Sequence, residues 1–375
     1  MISAADWPFS PPIVPMGAEV ADELPPPPGW AYEPKWDGFR VVIWSTSGGG
    51  ATADTRGSLR GARLDSRNAK PLLRYFPELE RALARLPEGT VADGEIVVVR
   101  DGRLDFDALQ SRIHPAQSRI DRLASETPAQ LALFDLLALR GVDLRPRPFR
   151  QRREKLEEVA AALEAGRASS SDSPWLLSPS TTDLEIARRW FHEFEPAGFD
   201  GIVAKALDRP YAEGRREMRK IKHRRTVDCV IGGYRLHKDG DRVGSLLLGL
   251  YNLEDELHFI GHCSSFSDAE AAALLEALRP LQPEPRDAGP AGFGEHARHP
   301  GTASRWRGDK ELDFIPVRPI LVVEVSYDQL TGDRLRHATR FERWRPDKNP
   351  RDCTMDQLER PKGAALIEAL RSVQA

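Results

Sequence analysis

The stretch "EPKWDGFR" (33–40) sets Lys35 beside Trp36, Asp37 and Gly38, with Arg40 five residues further on. A lysine amine attacks phosphorus only when neutral, and an unperturbed lysine has a pKa of about 10.4. Neighbouring positive charge or loss of water lowers that value and makes the amine a nucleophile. Gly38 offers close backbone approach to a bulky ligand, and Arg40 a planar donor for a ribose or phosphate. The pattern K-x-D-G-x-R arises by chance in roughly one chain of this length in a few hundred. Alone it leaves an exposed turn lysine as the competing reading.

Other segments add to it. "ADGEIVVV" puts Glu95 at the start of an apolar strand, and "DGIVAK" puts Asp200 and Lys205 on either side of another apolar run. In "MRKIKH", Lys220 and Lys222 are two apart, so both face one side of a strand. Residues 209–225 hold eight Lys/Arg against two Glu, a local basic patch whose alternative is a solvated edge strand. Carboxylates for Mg²⁺, lysines to neutralise an α-phosphate and a lysine nucleophile are the parts of a phosphoryl-transfer site.

The elements that must position these groups divide the chain in two. At 375 residues the chain is long for one core. Residues 1–29 are Pro-rich and read as extended. "FRVVIW", "GEIVVV", "DGIVAKAL" and "MRKIKH" read as strands, and "LALFDLLAL" (131–139) as a strand by its shortness, although its periodicity also allows a helix. Helices are expected over 75–86, 149–167 and "DLEIARRWFHEF", the last capped by Thr181 or Thr182. Beyond a boundary near 223/224, short strands with one helix (267–281) suggest a small barrel of oligonucleotide-binding (OB) type. Residues 45–63, rich in Gly, Ser and Thr, read as an inserted loop. Four arginines in or beside it (Arg56, Arg60, Arg63, Arg67) could touch nucleic acid or simply lie in solvent.

Composition limits the classes. Net charge is −3, so any nucleic-acid contact comes from local patches. Cys229, Cys263 and Cys353 are scattered, which argues against a disulfide framework or a zinc site and fits a reducing, cytoplasmic setting. No signal peptide and no apolar run of membrane length are evident. A monomer is expected.

The ordered set of motifs resembles the nucleotidyltransferase superfamily of ATP-dependent DNA ligases, RNA ligases and mRNA capping enzymes. "KWDGFR" is similar to motif I, "SRN" (66–68) to the short element after it, "DGE" (93–95) to motif III and "LFDLL" (133–137) to motif IIIa. "DGIVAK" (200–205) resembles motif IV, "REMRKIK" (216–222) motif V and "TRFERWRPDK" (339–348) motif VI. The match runs over about residues 11–355 and looks most like the compact bacterial DNA ligase C group. The implied fold is α+β. An antiparallel-sheet nucleotidyltransferase (ATP-grasp-like) domain, 1–223, precedes an OB-fold domain, 224–375, with a C-terminal helix.

The resemblance implies that Lys35 takes AMP from ATP, with Asp37 beside it in the catalytic motif. Glu33 would read the adenine amino group and Phe134 would stack on the base. Arg40 and Arg67 would contact ribose and the nicked 5′-phosphate region. Glu95 would touch ribose or metal, Asp200 the metal (Mg²⁺ or Mn²⁺), and Lys205 the nucleotide. Lys220 and Lys222 would hold the α-phosphate and lower the Lys35 pKa, with Arg216 helping. Arg340, Arg345, Asp347 and Lys348 would orient pyrophosphate in the first step. The acceptor would be nicked duplex DNA, in a repair setting with possible repair-protein partners.

Three departures from the family pattern stand out. Motif IV usually carries Glu where this chain has Asp200, a reach shorter by about 1.5 Å. Met218 stands where many DNA ligases carry Trp, and 45–63 is inserted. An RNA ligase, a GTP-dependent capping enzyme and a catalytically dead nucleic-acid binder are the competing functions. The presence of Lys35, Glu95, Lys220 and Lys222 together argues against the last.

Overall fold

A computed structural model describes residues 7–45, 62–165, 173–283, 292–300 and 314–358. The described residues up to Lys222 form one unit, and those from 223 to 358 a second. The first unit begins with β1 (Gly17–Val20), β2 (Trp30–Pro34), β3 (Phe39–Trp44), β4 (Arg63–Ser66), α1 (Glu80–Leu83), β5 (Val91–Arg100) and β6 (Arg103–Leu104). It continues through α2 (Phe106–Ser111), α3 (Gln117–Glu126), β7 (Ala129–Leu139), β8 (Val142–Asp143), α4 (Phe149–Glu164) and β9 (Trp175–Leu177). It closes with α5 (Leu184–Glu193), β10 (Gly201–Ala206) and β11 (Arg216–Lys222).

These strands make two sheets. The larger has the order β4-β3-β5-β7-β8, with β6 beside β5 and β9 beside β7. The smaller has the order β1-β11-β10-β2 and is antiparallel except for the parallel β1–β11 pair. Strand alternation gives the larger sheet two apolar faces. Val41, Ile43, Ile96, Leu131 and Leu133 pack with Leu79, Leu83, Leu156 and Val159 on the helical side. On the other face Val42, Trp44 and Leu137 meet Ile13, Met16, Tyr211 and Met218, while Ala132 and Phe134 join a cluster with Tyr32, Ile202 and Ala204. The two sheets therefore share their interior, and the candidate site residues line its polar part.

Several local expectations need correction. The 75–86 segment is not one helix. Two 3-10 turns, Leu73–Tyr75 and Pro77–Leu79, precede the single turn α1. Pro77 has no N–H to donate, and Phe76 before it is not helical (φ −135°, ψ 58°). The cap of α5 is Asp183, whose carboxylate accepts from the amides of Glu185 and Ile186, whereas Thr181 Oγ1 accepts from the Asp183 amide. The Pro-rich N-terminal stretch is not extended surface chain throughout, because β1 is a paired strand of the smaller sheet. The run 131–139 is β7, buried on both faces, which is why its apolar pattern lacked alternation. Most of the 45–63 insertion, with Arg56 and Arg60, and the expected C-terminal helix lie outside the described residues.

The second unit holds β12 (Arg225–Leu236), β13 (Val243–Tyr251), β14 (Leu257–Cys263), α6 (Asp268–Leu278), β15 (Ile315–Pro316), β16 (Val322–Tyr327), β17 (Leu330–Thr331), β18 (Arg334–Leu335) and β19 (Arg340–Trp344). Its main sheet has the order β14-β13-β12-β16-β19, an OB-type arrangement with one inserted helix. Ser267 and Glu270 form a capping box at the start of α6, and Leu274, Leu275 and Leu278 bury its inner face. Cys229, Cys263 and Cys353 are free and buried. Among the described residues no helix is long and apolar enough to cross a membrane.

Gly38 has a different role from the one its motif suggests. A Cβ there would lie 2.2 Å from the Ile96 carbonyl oxygen and 2.7 Å from Glu95 Cγ. Its smallness lets the chain lie against β5 and so brings the Lys35 loop to Glu95. Gly38→Ala is predicted to destabilise the first unit by about 3 kcal/mol through overpacking. Chemical denaturation of the variant beside the parent checks this, and an unchanged midpoint would refute it.

Candidate active site

Lys35 ends the β2 segment and is fixed through its backbone. Its amide donates to the Gly201 carbonyl at 2.8 Å, and its carbonyl accepts from the Asp200 amide at 2.9 Å. Gly201 permits this approach. Its φ is +132°, and a Cβ would lie 2.0 Å from the Ile221 carbonyl. The same pairing brings Lys35 Nζ to 2.6 Å from Asp200 Oδ2, with Lys222 Nζ 3.6 Å from that oxygen. Burial alone would lower the Lys35 pKa, but the Asp200 carboxylate outweighs it and raises the pKa, with Glu95 and Asp37 adding to the rise. The expected depression of Lys35 is therefore wrong for this state. Lys220 is the amine pushed down, by burial first and then by Lys35, Lys222 and Arg67.

The smaller sheet aligns the other groups. Glu33, Val203 and Lys220 face one another across β2, β10 and β11. Glu33 is 2% exposed; Lys205 Nζ donates to its Oε2 at 2.8 Å and to the Phe134 carbonyl at 2.7 Å. Burial raises the Glu33 pKa, while Lys205 and Arg153 oppose the rise. Among the described residues Glu33 Oε1 has no hydrogen-bond partner and lies 3.6 Å from Arg153 Nη1, which is likewise without one. A buried carboxylate oxygen with spare accepting capacity beside an aromatic ring suits the amino edge of a purine. Phe134 is that ring, with the Arg40 guanidinium 4.6 Å and Lys205 Nζ 4.7 Å from its centroid.

The larger sheet supplies Arg40 and Glu95, which are register partners on β3 and β5. Arg40 makes a bidentate pair with the fully buried Asp93, at 2.5 and 2.6 Å. Burial pushes the Glu95 carboxyl up to about 7, against the pull of Arg40 and Lys35. Glu95 and Asp200 both act on Lys35 and are hard oxygen donors, the donor type that would suit a divalent cation. Among the described residues a His/Asp group with ligand spacing, His237, Asp239 and Asp241, is on the β12–β13 turn of the second unit. There Arg242 already pairs with both aspartates.

Arg67 and Arg216 are exposed, Arg67 tied to the site by its amide on the Arg40 carbonyl at 3.2 Å. Met218 is a core residue in a cluster with Ile13, Met16 and Trp44. Within the second unit, Arg345, Asp347 and Lys348 gather around Asp228. Arg345 is 2.7 Å from Asp228 and 2.9 Å from Asp347, and Lys348 is 3.7 Å from Asp228. Arg340 is exposed at the start of β19. Sequence reasoning missed Asp93, Tyr211 and Arg153 as members of the site. Asp93 stood inside the quoted "DGE", whereas Arg153 on an amphipathic helix gave no signal. Trp36 is buried, donates from Nε1 to Ser178 Oγ at 3.0 Å and stacks edgewise on Phe199.

A lysine paired with Asp200 and under the influence of Glu95, with Lys220 and Lys222 in the same sheet and a buried Glu33 near Phe134, is the layout of a covalent nucleotidyl-transfer site. Residues 16–222 match the ATP dependent DNA ligase domain, and residues 239–348 the ATP dependent DNA ligase C terminal region. DNA ligase C2 of Mycolicibacterium smegmatis is 46% identical over 98% of this chain and 99% of its own. DNA ligase C of Mycobacterium tuberculosis is 44% identical over 96% and 98%. The multifunctional non-homologous end joining protein LigD of Pseudomonas aeruginosa is 32% identical, covering 96% of this chain and 39% of that protein. A solved structure of a Lig E DNA ligase shares the fold, with a TM-score of 0.52 at 15% identity over 88% of this chain and 99% of that one. The chain belongs to the ATP-dependent DNA ligase family.

Glu95 gives a test of the site's electrostatics. Its folded pKa lies above the ordinary carboxylate value, so between about pH 4.5 and 7 the folded state holds more protons than the unfolded state. Over that window its contribution to stability falls as pH rises. Glu95→Gln is predicted to gain stability relative to the parent between pH 5 and 7.5, read from denaturant midpoints at both pH values. A pH-independent difference would contradict the assignment.

Proposed function

We propose that this ATP-dependent DNA ligase seals nicks in duplex DNA through an AMP carried on Lys35. The observation that supports this most is the position of Lys35 Nζ, 2.6 Å from Asp200 and within the field of Glu95, with Lys222 and the Glu33–Phe134 slot in the same interior. Glu33 Oε1 takes the adenine amino group, Phe134 stacks on the base, and Arg40 and Arg67 meet the ribose side. Lys205 keeps Glu33 in place, and Asp37 stays with Lys35 in the catalytic loop.

Lys35 is protonated at rest, and Asp200 Oδ2 is the acceptor nearest its proton. Loss of that proton frees the lone pair to attack the α-phosphorus in line; a P–N bond forms and pyrophosphate leaves. Lys220, Lys222 and Arg216 neutralise the α-phosphate oxygens as charge builds. Asp200 and Glu95 would hold Mg²⁺ or Mn²⁺, whose positive charge disfavours the protonated lysine and steadies the phosphate. Arg340, Arg345, Asp347 and Lys348 act on the pyrophosphate. AMP then passes to the 5′-phosphate of the nick, breaking the P–N bond, and the 3′-hydroxyl displaces AMP to join the strand. A role in DNA repair is supported by the end-joining protein among the relatives.

Labelled ATP with Mg²⁺ is predicted to leave a covalent adduct on the parent and none on Lys35→Ala. GTP should label neither, and adduct AMP should be consumed when nicked DNA is added. Label from GTP but not ATP would overturn the reading in favour of a capping-type enzyme. Consumption by a nicked RNA substrate but not by nicked DNA would make it an RNA ligase.

A further inference from the structure

We infer that Tyr211 is a positioning residue for ATP capture, acting on Arg40 through Asp93 and the Met16 backbone. Tyr211 Oη donates to Asp93 Oδ2 at 2.5 Å and accepts from the Met16 amide at 2.9 Å. Asp93 accepts from Arg40 Nε and Nη2 at 2.5 and 2.6 Å, and Arg40 Nη2 also donates to the Met16 carbonyl at 3.2 Å. Tyrosine, aspartate, arginine and the N–H and C=O of Met16 thus form a closed ring of hydrogen bonds. Asp93 is fully buried and Tyr211 is 6% exposed. The tyrosine is itself anchored, its amide donating to the Arg145 carbonyl at 2.8 Å.

The ring leaves Arg40 one orientation. Two edges of its guanidinium are committed to Asp93 and Met16, and its plane is held 4.6 Å from the Phe134 centroid. A side chain with several rotatable bonds otherwise loses affinity to ordering when it meets a ligand. Here the ordering is complete before ATP arrives. Tyr211 supplies no atom to the nucleotide. It fixes the carboxylate that fixes the arginine, and it ties the Met16 segment, 195 residues away in sequence, to the same point.

The inference rests on the proposed contact of Arg40 with the nucleotide. That contact is remote from the α-phosphorus, so its loss weakens ground state and transition state alike and appears in KM rather than kcat. The experiment measures the ATP dependence of Lys35 adenylylation in the full chain for Tyr211→Phe, Arg40→Ala and the double variant. Tyr211→Phe is expected to raise the ATP KM about five- to tenfold with kcat within about twofold, and to add less than about twofold in the Arg40→Ala background.

A fall in kcat at unchanged KM, with a lowered melting temperature, would mean a purely structural role and overturn the inference. Additive effects in the double variant would overturn it too. If Arg40→Ala raises KM and Tyr211→Phe does not, the inference alone falls; if Arg40→Ala leaves KM unchanged, the Arg40 assignment falls first. Asp93→Asn serves as a second variant should Tyr211→Phe fold poorly. It must show the same KM increase, and an unchanged KM would count against the ring.

Discussion

The site depends on one short junction, the two hydrogen bonds that Lys35 exchanges with the Asp200 N–H and the Gly201 C=O. It joins the end of β2 to the start of β10 and leaves the lysine amine in contact with the Asp200 carboxylate. Everything else is arranged around that fact. Gly201 has the backbone conformation and the bare Cα that the approach needs. The β10–β11 register then sets Lys220 and Lys222 beside the pair, and the β10–β2 register sets Glu33 on the same line. A peptide-level junction holds its geometry better than two long side chains could, because the backbone has only two soft torsions per residue.

Charge in the interior is handled by pairing. Arg40 with Asp93, Lys205 with Glu33, Arg152 with Asp135 and Lys35 with Asp200 are all buried or half-buried ion pairs. Such pairs contribute little net stability against an apolar replacement, since both ions lose their water. Their value here is orientation and availability. Lys35, Arg40 and Lys205 each already have an anion, so these cations are held in place rather than left as isolated buried charge.

Much of this was legible in the sequence, and the failures are informative. Strands with β-branched runs, such as 39–44 and 91–100, read directly because alternation and propensity agreed. The helix at 75–86 did not, because Pro77 and the conformation of Phe76 override a periodic apolar pattern. Lys35, Asp200, Glu33 and the Lys220/Lys222 pair were found because motif spacing encodes them. The direction of the Lys35 pKa shift was not, because it depends on which oppositely charged group lies nearest in space, and Asp200 is 165 residues away in sequence. Tyr211 was invisible for the same reason: nothing local marks a tyrosine whose partners are at 16 and 93. Gly38 was noticed for the right property, smallness, but assigned to a ligand instead of to β5.

The parallel pairing of β1 with β11 has a consequence for how the chain is made. Gly17 lies opposite Arg216, so the sheet that carries Lys220 and Lys222 joins the earliest described strand to the last strand of its unit. On a ribosome the N-terminal strand emerges long before its partner exists. Until residue 222 has cleared the exit tunnel, β1 has no ladder, and the Met16 groups have no Tyr211. Contacts of such long sequence separation form late and slowly. The smaller sheet can therefore be completed only near the end of the unit's synthesis, and a nascent chain stalled before that point holds Lys35 without Lys220 and Lys222.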